Sequence, residues 1–144
     1  MAALFPWLEA TGVAGSVRDS LLLTGALSAV HLLGFTLVTG GAFVANLRLL
    51  GVLFQDRAVL EVTRSTSRGI AVGLAMSVFT GFLLFAPRAI AASTNRTFQI
   101  KMLLLVAAAV FHFTIHRAAT RRPSSNGTLR LVGATGFLLW TGVA

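Results

Sequence analysis

The chain has 144 residues, of which 56% are hydrophobic and 11% charged, well below the roughly one quarter that a soluble domain usually carries as charge. The absence of cysteine from the sequence excludes a disulfide framework, a thiolate metal site and a cysteine nucleophile. The net charge of +8 falls in short clusters between apolar runs, with no alternation of basic and aromatic residues; this is the pattern of basic loops against anionic lipid and not of a nucleic-acid groove.

Residues 1–19 do not form a secretory signal, because a basic start is missing and Pro6 and Glu9 break the apolar patch. Phe5, Trp7 and Leu8 suit a short interfacial segment with Trp7 at headgroup level. Ser20–Leu47 then runs 28 residues without charge and Gly69–Pro87 runs 19. A membrane-spanning helix needs roughly 20 residues, so both qualify. Met102–His116 is shorter, at 15 residues, and reaches spanning length if Lys101 snorkels from a helix that starts near Phe98. Leu131–Ala144 is uncharged over 14 residues. The expectation is an all-α integral membrane four-helix bundle. It is a single transmembrane domain over residues 1–144, with helices near 20–47, 69–88, 98–118 and 128–144.

Orientation follows from the basic residues. Arg48, Arg57, Arg64 and Arg68 follow the first helix, and Arg117, Arg121, Arg122 and Arg130 follow the third; Arg18, Arg88, Arg96 and Lys101 lie on the other side. The positive-inside rule then predicts a multi-pass protein of a bacterial inner membrane with both chain ends outside the cytoplasm.

Thr80–Phe85 reads TGFLLF and Thr135–Trp140 reads TGFLLW. The match suggests two helix pairs related by an axis along the membrane normal, an arrangement that places sites at the repeat interface. The plainer reading is that these residue types are common in membrane helices.

All three histidines lie on the first and third predicted helices: His31 on one, His112 and His116 on the other, four apart and on one face. An ionisable group inside a membrane is costly and points to a site. Two neutral imidazoles on facing helices are what a b-type haem requires, and a C-x-x-C-H haem attachment is excluded by composition. His31 lies eleven residues past Ser20 and His112 eleven past Lys101, comparable depths at about 1.5 Å per residue. The expected iron ligands are therefore His31 and His112, with His116 as the alternative. Arg48, Arg88, Arg96 and Lys101 are candidate partners of the haem propionates, against plain headgroup anchoring. Gly69 and Gly73 have G-x-x-x-G spacing for helix contact. The pair Gly40–Gly41 is costly in a helix and suggests space for a cofactor.

The runs HLLGFTLVTGGAFVANLRLLG, His31–Gly51, and NRTFQIKMLLLVAAAVFHFTIHR, Asn95–Arg117, resemble a family of small uncharacterised bacterial four-helix membrane proteins. In that family the histidine equivalent to His31, the Leu47–Gly51 segment and Lys101 recur, the end of the third helix favours His116, and aspartate often stands where this chain has Asn46. Members usually continue past Ala144, which implies an incomplete fourth helix here. More distantly, His31 with Gly41, Phe43 and Arg48, and Lys101 with Phe111–His112, resemble haem-containing membrane protoporphyrinogen oxidase and the copper-resistance D family. That likeness implies bound haem and favours His112.

The leading expectation is a membrane b-type haem protein that passes electrons to or from a quinone or a redox partner. The alternative is a non-catalytic accessory transmembrane subunit of a larger respiratory or photosynthetic complex, with a protein partner or a second copy of itself. A small transporter with His31 as proton relay ranks third, since the helices embed no carboxylate.

Overall fold

The computed structural model describes residues 4–121 and 125–144, and among these the chain is helical with no strand. Two short helices, α1 (Leu4–Glu9) and α2 (Gly12–Asp19), precede α3 (Leu21–Leu50) and α4 (Val59–Phe85). A single 3-10 turn, Ala86–Arg88, links α4 to α5 (Ala89–Thr94). Then come α6 (Arg96–Phe111), a π-helical segment His112–His116, α7 (Arg117–Arg121) and α8 (Asn126–Val143). Among the described residues, three continuous helical stretches are long and apolar enough to cross a membrane: Leu21–Leu50, Val59–Thr94 and Arg96–Arg121. Leu21, Leu22, Leu103 and Leu138 project from the bundle at 70% exposure or more, apolar surface of a kind that lipid covers at little cost.

Local chemistry sets the boundaries. Ser20 Oγ accepts the Leu23 amide at 3.2 Å, Asn95 Oδ1 that of Phe98 at 3.2 Å, and Ser125 Oγ that of Thr128 at 3.2 Å; these side chains satisfy amides that a helix start leaves unpaired. α3 ends in a Schellman turn. Gly51 sits at φ 78°, its amide donates to Arg48 O, and the Val52 amide donates to Leu47 O. Arg48 then folds over the loop and donates from Nε and Nη2 to Arg57 O at 3.1 and 2.6 Å.

The bounds differ most from the sequence expectation at the second helix, and the expected fourth span, α8, is not among the three stretches of spanning length and hydropathy. α4 starts at Val59, ten residues before Gly69, because Arg64 and Arg68 do not end a helix; they stand on its first turns with exposed side chains. Residues 4–19 form two helices that cap one end of the bundle. Glu9 Oε1 accepts the Ile90 amide at 2.8 Å, Arg18 donates to Pro87 O at 3.1 Å, and Phe5 meets Phe85 edge-on at 6.2 Å. Trp7 stays 65% exposed there, as an interfacial tryptophan does.

α3 is the hub. It packs along α4 and along α8, whereas α6 leans on α8 instead of on α3. Glycines fix the first contact. A Cβ on Gly73 would stand 2.6 Å from Gly34 O and 2.8 Å from Leu37 Cβ, and one on Gly41 would stand 2.9 Å from Ile70 Cγ1. Gly40 and Gly69 face open space. The close approach thus pairs Gly34 with Gly73 across two helices, and Gly41 makes room for Ile70, a core side chain, in place of a cofactor. Val38, Ala42, Ile70, Ala108, Trp140 and Val143 form the buried apolar cluster around which these helices meet.

Candidate functional site

His31 leaves α3 towards α4. Its Nδ1 lies 3.1 Å from Thr80 Oγ1, and Thr80 donates its only hydroxyl proton to Met76 O at 2.7 Å. The hydroxyl therefore accepts from His31, which fixes the Nδ1–H tautomer and leaves the Nε2 lone pair unused. Gly81 provides the space, for a Cβ there would lie 3.0 Å from His31 Cε1.

His112 also turns towards α4, but near its other end. Its Nε2 lies 3.2 Å from Ser67 Oγ. Thr80 and Ser67 are thirteen residues apart on one helix, so the two imidazoles are separated by about 20 Å along it at about 1.5 Å per residue. The depths read from the sequence fail because Ser20 and Lys101 do not mark one level. Lys101 Nζ stands 5.3 Å from the ring centroid of Phe35, a residue fifteen positions into α3. The first helix therefore starts several turns before the level of Lys101, and the structure does not bring His31 and His112 together.

It does bring His112 and His116 together. Both are 1% exposed, their ring centroids are 4.7 Å apart at 30°, and the π-helical segment that carries them begins and ends on the two residues. Such a segment is a local fault in the α-helical ladder and often marks a functional position. His112 Nδ1 and His116 Nε2 are buried with no hydrogen-bond partner among the described residues. A haem ligated on both faces needs two imidazole nitrogens on opposite sides of one iron, about 4 Å apart at twice the usual metal–imidazole distance. His31 is too far from His112, and so also from the alternative His116, whose ring lies 4.7 Å from that of His112; those two neighbouring rings stand too close for a porphyrin to pass between them. The residues present do not fit a bis-histidine haem. Among the described residues no group of three or more His, Asp or Glu side chains converges as a metal site either.

Of the other candidates, Arg48 is bound to its own loop and Lys101 to the Phe35 ring. Arg88 and Arg96 are exposed at the end capped by α1 and α2. The structure also gives a setting to residues that the sequence left without a functional role. Asn46 is fully buried on α3 with both amide atoms unpartnered among the described residues, and a Cβ on Gly136 of α8 would collide with it. The shared TGFLL runs thus both present a glycine to a polar side chain of α3: Gly81 to His31, Gly136 to Asn46. Their threonines part ways, Thr80 buried against His31 and Thr135 exposed and bonded back to Leu131 O at 3.0 Å. Thr80 and Ser67 carry weak sequence signals: Ser67 is one of several hydroxyls beside Arg64 and Arg68, and Thr80 stands three residues after Ser77 in an apolar stretch. Only the partner across the interface gives them meaning.

Residues 4–144 match the model of a family of unknown function (DUF6644). No curated protein matches the chain, and no solved structure matches it.

Proposed function

The chain belongs to this family of unknown function, and we propose that it serves as a non-catalytic transmembrane subunit of a larger membrane assembly. In this reading the bundle spans a bacterial inner membrane four times, α8 included, with both chain ends outside the cytoplasm. One observation carries the reading. The two helices that bear imidazoles each spend one on a hydroxyl of α4, His31 on Thr80 and His112 on Ser67, at opposite ends of that helix. In lipid such bonds hold helices together, and they account for two of the three histidines without a cofactor. The connections between the described helices are short, and in this reading the chemistry is left to a partner protein or a second copy of the chain.

The test is purification of the full chain from its native membranes in mild detergent. A defined partner at fixed stoichiometry, with no pigment carried by this chain, is the expected outcome. Isolated chain carrying one haem per copy contradicts it.

A second reading retains electron transfer, with haem held by a single imidazole. The unpartnered nitrogens of His112 and His116 favour it, as does the likeness of the His31–Arg48 and Lys101–His112 segments to haem-containing membrane oxidases. A reduced-minus-oxidised spectrum that keeps its haem bands in His31→Ala and loses them in His112→Ala supports this reading over the first.

A further inference from the structure

Beside the His112 face of α4 lies an open cleft of about 580 Å³ whose walls are α4 and α7. Each wall carries two arginines four residues apart, Arg64 and Arg68 on α4, Arg117 and Arg121 on α7, so each pair lies on one helical face. All four side chains are exposed, and no aspartate or glutamate lines the cleft. Glu61, one turn from Arg64, is paired with Arg57 at 3.4 Å. Four guanidinium groups around one cleft repel each other unless an anion lies between them, and their planar forks match the oxygens of a phosphate.

A second observation points into the same cleft. Its lining includes His112, which is 1% exposed, keeps Nδ1 unpartnered, and holds Ser67 Oγ through Nε2. Other hydroxyls here are committed to their own helices: Thr63 donates to Val59 O at 2.8 Å and Thr120 to His116 O at 3.1 Å. Ser67 has no such carbonyl among the described residues, so its proton is free for His112 Nε2, and both residues line the cleft. The arginines lie where the apolar windows of the α4 and α6–α7 stretches give way to charge, and Leu60, Ala71 and Phe113 supply apolar wall between them. A headgroup phosphate against the arginines with acyl chains along these apolar faces matches that lining; a free phosphate uses only its basic part.

We infer that the cleft between α4 and α7 binds the phosphate of an anionic phospholipid, with Arg64, Arg68, Arg117 and Arg121 as its donors. The site is separate from the subunit role above and stands whether or not the chain has a protein partner.

The test is native mass spectrometry of the full chain in neutral detergent, titrated with phosphatidylglycerol, phosphatidylcholine or inorganic phosphate. One phosphatidylglycerol should be retained per chain, with phosphatidylcholine bound far less. Arg64→Gln/Arg68→Gln should weaken retention at least about tenfold, since each basic side chain near an anionic headgroup contributes appreciably. If that pair does not fold, as judged by thermal unfolding, Arg117→Gln/Arg121→Gln on the facing wall should give the same loss. The control Arg57→Gln/Arg130→Gln removes equal charge outside the cleft and should change retention less than about threefold. Equal losses in the cleft and control pairs would overturn the site in favour of diffuse surface attraction. Inorganic phosphate displacing the lipid at matched concentration would overturn the assignment to lipid.

Discussion

At the scale of single residues, the polar side chains inside this bundle include two contrasting groups. Some have partners across a helix interface, as His31 has Thr80 and His112 has Ser67. Others, Asn46 and Ser77 among them, are buried with side-chain atoms unpaired. The first group should show coupling. A double-mutant cycle of His31→Ala and Thr80→Val, read by detergent or urea unfolding, should give an interaction of roughly 0.5–2 kcal/mol, the range of interhelical hydrogen bonds in lipid. Zero coupling would mean the bond does not form. The second group should behave oppositely. An unpaired buried amide carries a desolvation cost of about 1–3 kcal/mol, so Asn46→Leu should not lower the unfolding midpoint if the neighbouring glycines accommodate its branched end. Gly136→Ala should lower it, because the new methyl group drives into the Asn46 amide.

At the scale of helices, the contact that organises the molecule is Gly34 against Gly73. Gly73→Val forces α3 and α4 apart and should cost about 1–3 kcal/mol, the usual penalty of overpacking. Gly69→Val, one turn away and facing open space, should cost much less in the same unfolding assay. This pair also shows what periodicity can and cannot tell. The G-x-x-x-G spacing pointed to helix 2 as a close-packing helix, and it is one. Spacing within one helix does not reveal which glycine faces the neighbour, because that depends on the partner's own small residue. The caps at Ser20, Asn95 and Ser125 are local bonds that a count of charge-free residues passes over. The start of α4 was not readable from a charge-free window, because arginines on exposed first turns belong to the helix without entering its apolar part. The depth of His112 was missed for a similar reason: with α3 at 30 residues, no residue in the sequence marks where it meets the level of Lys101.

At the scale of the whole molecule, α3 is the hub and α4 its closest neighbour, with His31 and His112 as fastenings towards the two ends of α4. Arginine crowds the end of the bundle where α3 stops and α4 and α8 begin, which sets an orientation that labelling can check. The native sequence lacks cysteine, so single cysteines at Gln55 and at Gly12 report the two sides cleanly. An impermeant thiol reagent applied to intact cells should reach Gly12→Cys and leave Gln55→Cys unmodified; the reverse would invert the topology. The central claim is the separation of His31 from His112 by about 20 Å along α4. Low-temperature electron paramagnetic resonance of the oxidised protein, purified from haem-replete membranes, tests it most directly. The native chain should give no low-spin bis-imidazole ferric signal. Such a signal, present in the native chain and abolished alike by His31→Ala and by His112→Ala, would contradict it.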